Sequence, residues 1–94
     1  MLVRIVKMQF NADFVEDFKI LFTGVKPFIS NFKGCTEVRL LQHETDLNLF
    51  FTISKWKTAE DLERYRNSDL FIETWRKVKP NFKSKAEAWS LLEQ

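Results

Sequence analysis

Residues Phe50–Tyr65, FFTISKWKTAEDLERY, change their period halfway along, and that change decides the fold. The first part is aromatic and β-branched, which suits a pleated, half-buried strand. At Thr58 the pattern switches. Asp61 stands three residues after Thr58 in a loose capping box, and Leu62 and Tyr65 then fall on one apolar side of a helix. A strand that feeds directly into a helix is therefore the centre of the chain.

Working back toward the N-terminus, Leu47–Lys57 (LNLFFTISKWK) and Thr36–His43 (TEVRLLQH) read as two strands. Glu44-Thr45-Asp46 between them is a short polar connection suited to a hairpin. Residues 2–10, LVRIVKMQF, read as another strand. Between the two regions Phe14, Phe18, Leu21, Val25, Phe28 and Phe32 recur at three- and four-residue steps, placing them on one helical face. Asn11 or Asp13 can cap its start. Gly24 and Pro27 interrupt the pattern, which predicts a kink near Val25–Pro27 or a second short helix beginning there. Gly34 is expected as the C-terminal cap.

Toward the C-terminus, Asn67-Ser68-Asp69 breaks the helix and re-caps a new one. This second helix presents Phe71, Trp75 and Val78 on one side, and Pro80 ends it. Ala86–Leu92 (AEAWSLL) is read as a last strand, although its alanines and glutamates would also suit a helix. The order β-α-β-β-α-β predicts an α+β, ferredoxin-like fold: one antiparallel four-stranded sheet with helices on one face, in a single domain over residues 1–94.

Helices on one face leave the other to be explained. A wet face calls for alternation of apolar and polar residues, yet in LVRIV and LFFTI neighbours that must point opposite ways are both large and apolar. A chain of 94 residues buries only roughly 60–65% of its unfolded surface, so association would help it. The expectation is a homodimer in which two such sheets pack face to face.

Composition excludes other classes. A net charge of +2 with interleaved acids and bases gives no nucleic-acid footprint. Arg76, Lys77, Lys79, Lys83 and Lys85 form the closest approach to a basic cluster, read first as a solvated helix end and second as a phosphate contact. No stretch approaches the roughly 20 apolar residues of a membrane span, and Arg4 and Lys7 interrupt any signal-peptide core. Cys35 is alone, so no intrachain disulfide can form and a cytoplasmic location is expected. One His and one Cys make no metal site.

The element order, the FFTISKWKTAEDLERY passage and the following Asn67-Ser68-Asp69-Leu70-Phe71 resemble the antibiotic biosynthesis monooxygenase family of dimeric α+β barrels, from Val3 to about Leu91. Its most specific part is Trp56, Tyr65 nine residues later, and Ser68-Asp69-x-Phe71. The resemblance fixes fold better than chemistry. In the haem-degrading branch it implies a Trp near Tyr65, a haem-ligating His near Trp75 and an Asn on the first strand. Here those places hold Tyr65, Trp75 and, on the first strand, Val3, Ile5 or Lys7. Indole nitrogen is a donor only, so Trp75 cannot ligate iron as imidazole does.

The oxygenase branch remains. It implies oxidation of a phenolic or quinol-like substrate by O₂ with no metal or flavin cofactor, inside a dry aromatic pocket. The catalytic candidates are Tyr65 and Trp75, whose polar tips need partners when buried, and His43, the only side chain that titrates near neutrality unperturbed. Trp56, Phe71, Arg39 and Trp89 are the substrate-binding candidates. Each has a structural alternative: Tyr65, Trp75, Phe71 and Trp56 as core, Trp89 as dimer contact, His43 as a loop residue, and Arg39 paired with Glu37 of a neighbouring chain or another acid. A non-catalytic dimeric module that binds a hydrophobic metabolite or a partner protein is the competing function.

Overall fold

The computed structural model describes Met1–Gln94 and contains four strands and three α-helices. In chain order they are β1 (Leu2–Gln9), α1 (Val15–Ser30), β2 (Cys35–Gln42), β3 (Leu49–Trp56), α2 (Ala59–Arg66), α3 (Asp69–Val78) and β4 (Glu87–Leu92). The strands form one antiparallel sheet in the order β2-β3-β1-β4. This is the ferredoxin-like arrangement, with β4 as the strand that the Ala86–Leu92 segment was expected to supply.

The capping signals that define α2 and α3 are realised. Thr58 Oγ1 accepts from the Asp61 amide at 3.0 Å, and Ser68 Oγ accepts from the Phe71 amide at 3.2 Å. The start of α1 differs. Neither Asn11 nor Asp13 caps it through a side chain; a 3₁₀ turn over Ala12–Phe14 leads in instead. Pro27 does not start a second helix, because α1 runs unbroken through it to Ser30. Pro27 lacks only its own donor, and the packed stripe carries the helix across the gap. That stripe is Val15, Phe18, Phe22 and Ile29, whereas Phe28 lies outside it with 66% exposure. Gly34 sits beyond the helix cap Asn31, in the turn where the Cys35 amide donates to the Phe32 carbonyl, and its φ of 87° is the chain's one left-handed residue.

The register sorts the two faces of the sheet. Leu2, Arg4, Val6 and Met8 of β1 lie opposite Trp56, Ser54, Thr52 and Phe50 of β3. Met8, Phe50, Ser54 and Trp56 are buried, so this face meets the helices. Phe18, Phe22 and Ile29 of α1 and Val78 of α3 close the core over Met8, Phe10, Val38 and Phe50. No helix covers β4, whose six residues are all exposed.

The opposite face carries Val3 and Ile5 of β1, Phe51 and Ile53 of β3, Leu41 of β2, and Trp89 and Leu91 of β4. Ion pairs rim it: Lys7–Glu87 at 3.8 Å, Arg39–Glu37 at 3.4 Å and Lys55–Glu93 at 3.9 Å. An apolar centre with a charged rim is the composition of an interface rather than of a wetted sheet.

Candidate functional site: an aromatic cavity beneath the helices

Aromatic rings run as a chain of contacts from one end of the core to the other. Trp56 stacks on Tyr65 at 5.0 Å between centroids, and Tyr65 meets the edge of Phe71 at 5.3 Å. Phe71 meets Trp75 at 5.7 Å, and Trp75 meets Phe82 at 5.5 Å. Phe82 then stacks on the fully buried Phe10. The capping residue Ser68 fixes how α2 hands over to α3, and so sets the angle at which Tyr65 and Phe71 meet.

Between these rings and the sheet lies a cavity of about 100 Å³. Its floor is Val6, Met8, Thr52 and Ser54, its walls are Phe18 and Phe22 of α1, and its roof is Tyr65, Phe71 and Trp75. A dry cavity of about 150 Å³ takes benzene, so a ring-bearing ligand here must extend outward. The way out exists. Arg4, Val6, Arg66, Phe71 and Trp75 also line an outer groove of about 660 Å³ that runs over Ala86 and over Ala88 of β4.

The cavity offers donors and no conventional base. Trp56 Nε1 is committed to Ser54 Oγ at 2.9 Å, whereas the Tyr65 hydroxyl and Trp75 Nε1, on residues that line the cavity, donate to no protein group. Burial, helped by the nearby Cys35 sulfur, pushes the Tyr65 phenol far above its ordinary range. Tyr65 is thus a proton donor in hydrogen bonds and not a phenolate at neutral pH. No Asp, Glu or His lines the inner cavity.

The seven residues expected at the site separate into three groups. Tyr65, Phe71 and Trp75 come together on the roof. Trp56 is wholly buried behind Tyr65, in the core rather than on the wall. His43, Arg39 and Trp89 lie elsewhere. His43 Nδ1 accepts from the amides of Thr45 (3.2 Å) and Asp46 (3.0 Å), which makes it a turn residue of the exposed β2–β3 hairpin. Arg39 and Trp89 fall on the outer face by strand parity, Arg39 beside Glu37 of its own strand and Trp89 opposite Ile5.

Arg4 is the residue that reading the sequence missed. Val3, Ile5 and Lys7, the first-strand positions weighed for the site, all point to the outer face; Arg4, Val6 and Met8 point inward. The signal was present in LVRIV, as one charge in phase with Met8 and Phe10. Cys35 is half-buried, its thiol 3.5 Å from the Glu37 carbonyl and held above its usual pKa by burial.

Comparison with known proteins agrees with the fold. The sequence profile of the family described as antibiotic biosynthesis monooxygenase matches residues 1–77. A Nitrosomonas europaea protein whose description carries the same name superposes with a TM-score of 0.92 at 18% identity, covering 99% of this chain and 98% of its own. A conserved Methanosarcina mazei protein gives 0.91 at 19% identity, with 100% and 94% covered. A third structure, described as an antibiotic biosynthesis monooxygenase, gives 0.93 at 13% identity, with 100% and 99% covered. At these identities the structural likeness speaks for the fold alone. No curated protein matches the sequence.

Proposed function

Because the chain belongs to the antibiotic biosynthesis monooxygenase family, we propose that it is a monooxygenase that oxidises a small aromatic or quinol-like molecule in the cavity beneath Tyr65 and Trp75, with O₂ and without a metal or flavin. The observation that supports this reading best is a largely apolar, aromatic-roofed cavity lined by two residues with uncommitted donors, Tyr65 and Trp75.

The chemistry such a site can assist is short. An activated CH₂ of the substrate loses a proton, and the carbanion passes one electron to O₂. The two radicals recombine through a C–O bond, and the peroxide takes up a proton. Loss of water then breaks the O–O bond, leaving C=O, so one oxygen stays and the other departs as water. Donors aimed at the enolate oxygen lower the cost of the first step in a water-poor site. With no carboxylate or imidazole on the wall, the proton leaves to water through the groove. Substrates with an acidic C–H or O–H are therefore the suitable ones.

The working form is a cytoplasmic homodimer joined through the Ile5–Ile53 face of the sheet. Oxygen uptake by metal-stripped protein against quinols, anthrones and catechols tests the activity. Saturable uptake that drops in Trp75→Phe supports it, and no uptake across the panel sinks it. The absence of a base on the wall also favours a second reading, a dimeric module that binds an aromatic metabolite without turnover. Tight binding with no oxygen uptake would select that one.

A further inference from the structure

Arg4 stands where a sheet facing helices ordinarily carries an apolar residue. Its cross-strand neighbours are Ser54 and Ser90, and its Nη1 donates to Ser90 Oγ at 3.0 Å. No carboxylate pairs with it. Arg66, at the end of α2, repels it, and Glu63 offsets part of that repulsion. Glu63 is itself engaged by Arg66 at 3.3 Å on the exposed side of the helix. Partial burial beside a like charge also makes the Arg4 guanidinium less basic than usual. Two guanidinium groups thus share one carboxylate, which leaves positive charge at the cavity mouth for a further anion.

Both arginines line the inner cavity and the outer groove, so they stand at the junction of the two. Lys79, Lys83 and Lys85 continue the positive lining outward. The groove's one carboxylate, Glu87, is paired with Lys7. The small side chains of Ala86 and of Ala88 on β4, the latter beside Val6, line the passage.

We infer that the site takes an amphiphilic anion: an aromatic ring reaching from the outer groove into the inner cavity, with an oxyanion on that ring bound between Arg4 and Arg66 at the junction. Guanidinium forks match carboxylate and phosphate alike, so the shared chemistry is the oxyanion. This rests on the reading of the cavity as an aromatic-ligand site, but it does not require turnover. It also reassigns part of the C-terminal basic cluster from a solvated helix end to the approach of a ligand.

Calorimetric titration of the full chain with 2-naphthoate, 2-naphthyl phosphate and the neutral 2-naphthalenemethanol decides it. One or both anions should bind at least about 10-fold tighter than the alcohol, as a charge-assisted contact implies, and the preferred one tells carboxylate from phosphate. Arg4→Gln and Arg66→Gln should each erase most of that preference, lowering affinity for the anions far more than for the alcohol. Should Arg4→Gln fail to fold, Arg66→Gln at its exposed helix end carries the decision. Equal affinity for all three ligands, or a preference that survives both substitutions, overturns the oxyanion site and leaves the aromatic cavity standing. Binding of none of them overturns both.

Discussion

The chain's single tyrosine lies flat against Trp56, with centroids 5.0 Å apart and planes 26° apart. Phe32 and Phe71 close on its edges at 5.4 and 5.3 Å. This aromatic box is what raises the phenol's pKa, because a phenolate there would lose its hydration with no compensating donor. The folded-state pKa exceeds the unfolded value of about 10, so the folded state holds the proton more tightly. Its contribution to stability is complete below about pH 10 and is lost as pH rises through the folded value.

Alkaline titration at 295 nm therefore reports on one residue. Tyrosinate absorbance should stay absent past pH ~10 and then rise together with loss of near-ultraviolet circular dichroism. A smooth titration near the ordinary tyrosine value in a folded protein would contradict the burial. Tyr65→Phe, which removes a hydroxyl no protein group uses, should change stability at neutral pH by less than about 1 kcal/mol. It should also soften the alkaline decline.

Gly34 makes a prediction about folding rather than chemistry. Its φ is 87°, and a Cβ placed there would overlap the side chain of Asp61, which is almost buried and bound to Arg64 at 2.7 Å. The turn into β2 and the first turn of α2 thus share a space only glycine leaves free. Gly34→Ala should lower stability by about 2 kcal/mol or more, read as a reduced urea midpoint with an unchanged slope. An alanine variant as stable as the parent would show that the turn can move aside.

These two sites also show what can be read from sequence. Thr58 and Ser68 were legible as helix starts because capping is a local rule, satisfied three residues along the chain. Gly34 was legible as a conformational marker but not as a turn, because what excludes a side chain there is Asp61, 27 residues away. Strand parity was harder still. A strand apolar on both faces carries no alternation to read, so Arg4 and Arg39, both mid-strand arginines, could not be told apart. The register places one at the cavity mouth and the other on the outer face.

Trp75 and His43 should respond oppositely in the oxidation assay. Trp75 lines the cavity and its Nε1 has no protein acceptor, so Trp75→Phe should lower kcat by about 10²-fold, as loss of one preorganised donor does elsewhere. The fold should survive. His43 supports the hairpin by accepting two amides, so His43→Ala should leave kcat within about twofold and cost roughly 1 kcal/mol of stability. A large kcat loss in His43→Ala would return a catalytic base to that hairpin.

The outer face of the sheet leads to the last prediction. Ile5 and Ile53 pair across its two central strands, with Phe51, Leu41, Trp89 and Leu91 around them. In a lone chain Leu41, Trp89 and Leu91 stay more than 40% exposed, a costly surface for a small monomer. Two copies facing each other bury it, and the rim charges of Lys7, Glu87, Arg39 and Glu37 remain at the margin, where they need no desolvation. Sedimentation equilibrium of the parent protein should give twice the 11.3 kDa chain mass at micromolar concentration. Ile53→Glu sets a carboxylate at the centre of that face on each copy, where it must lose water opposite an apolar surface and near its own symmetry mate. The variant should sediment as a monomer while keeping its helix and strand content, since Ile53 packs against nothing on the helix side. An Ile53→Glu variant that stays dimeric would place the contact on another surface, with the exposed Ile20 and Phe28 of α1 the next to alter.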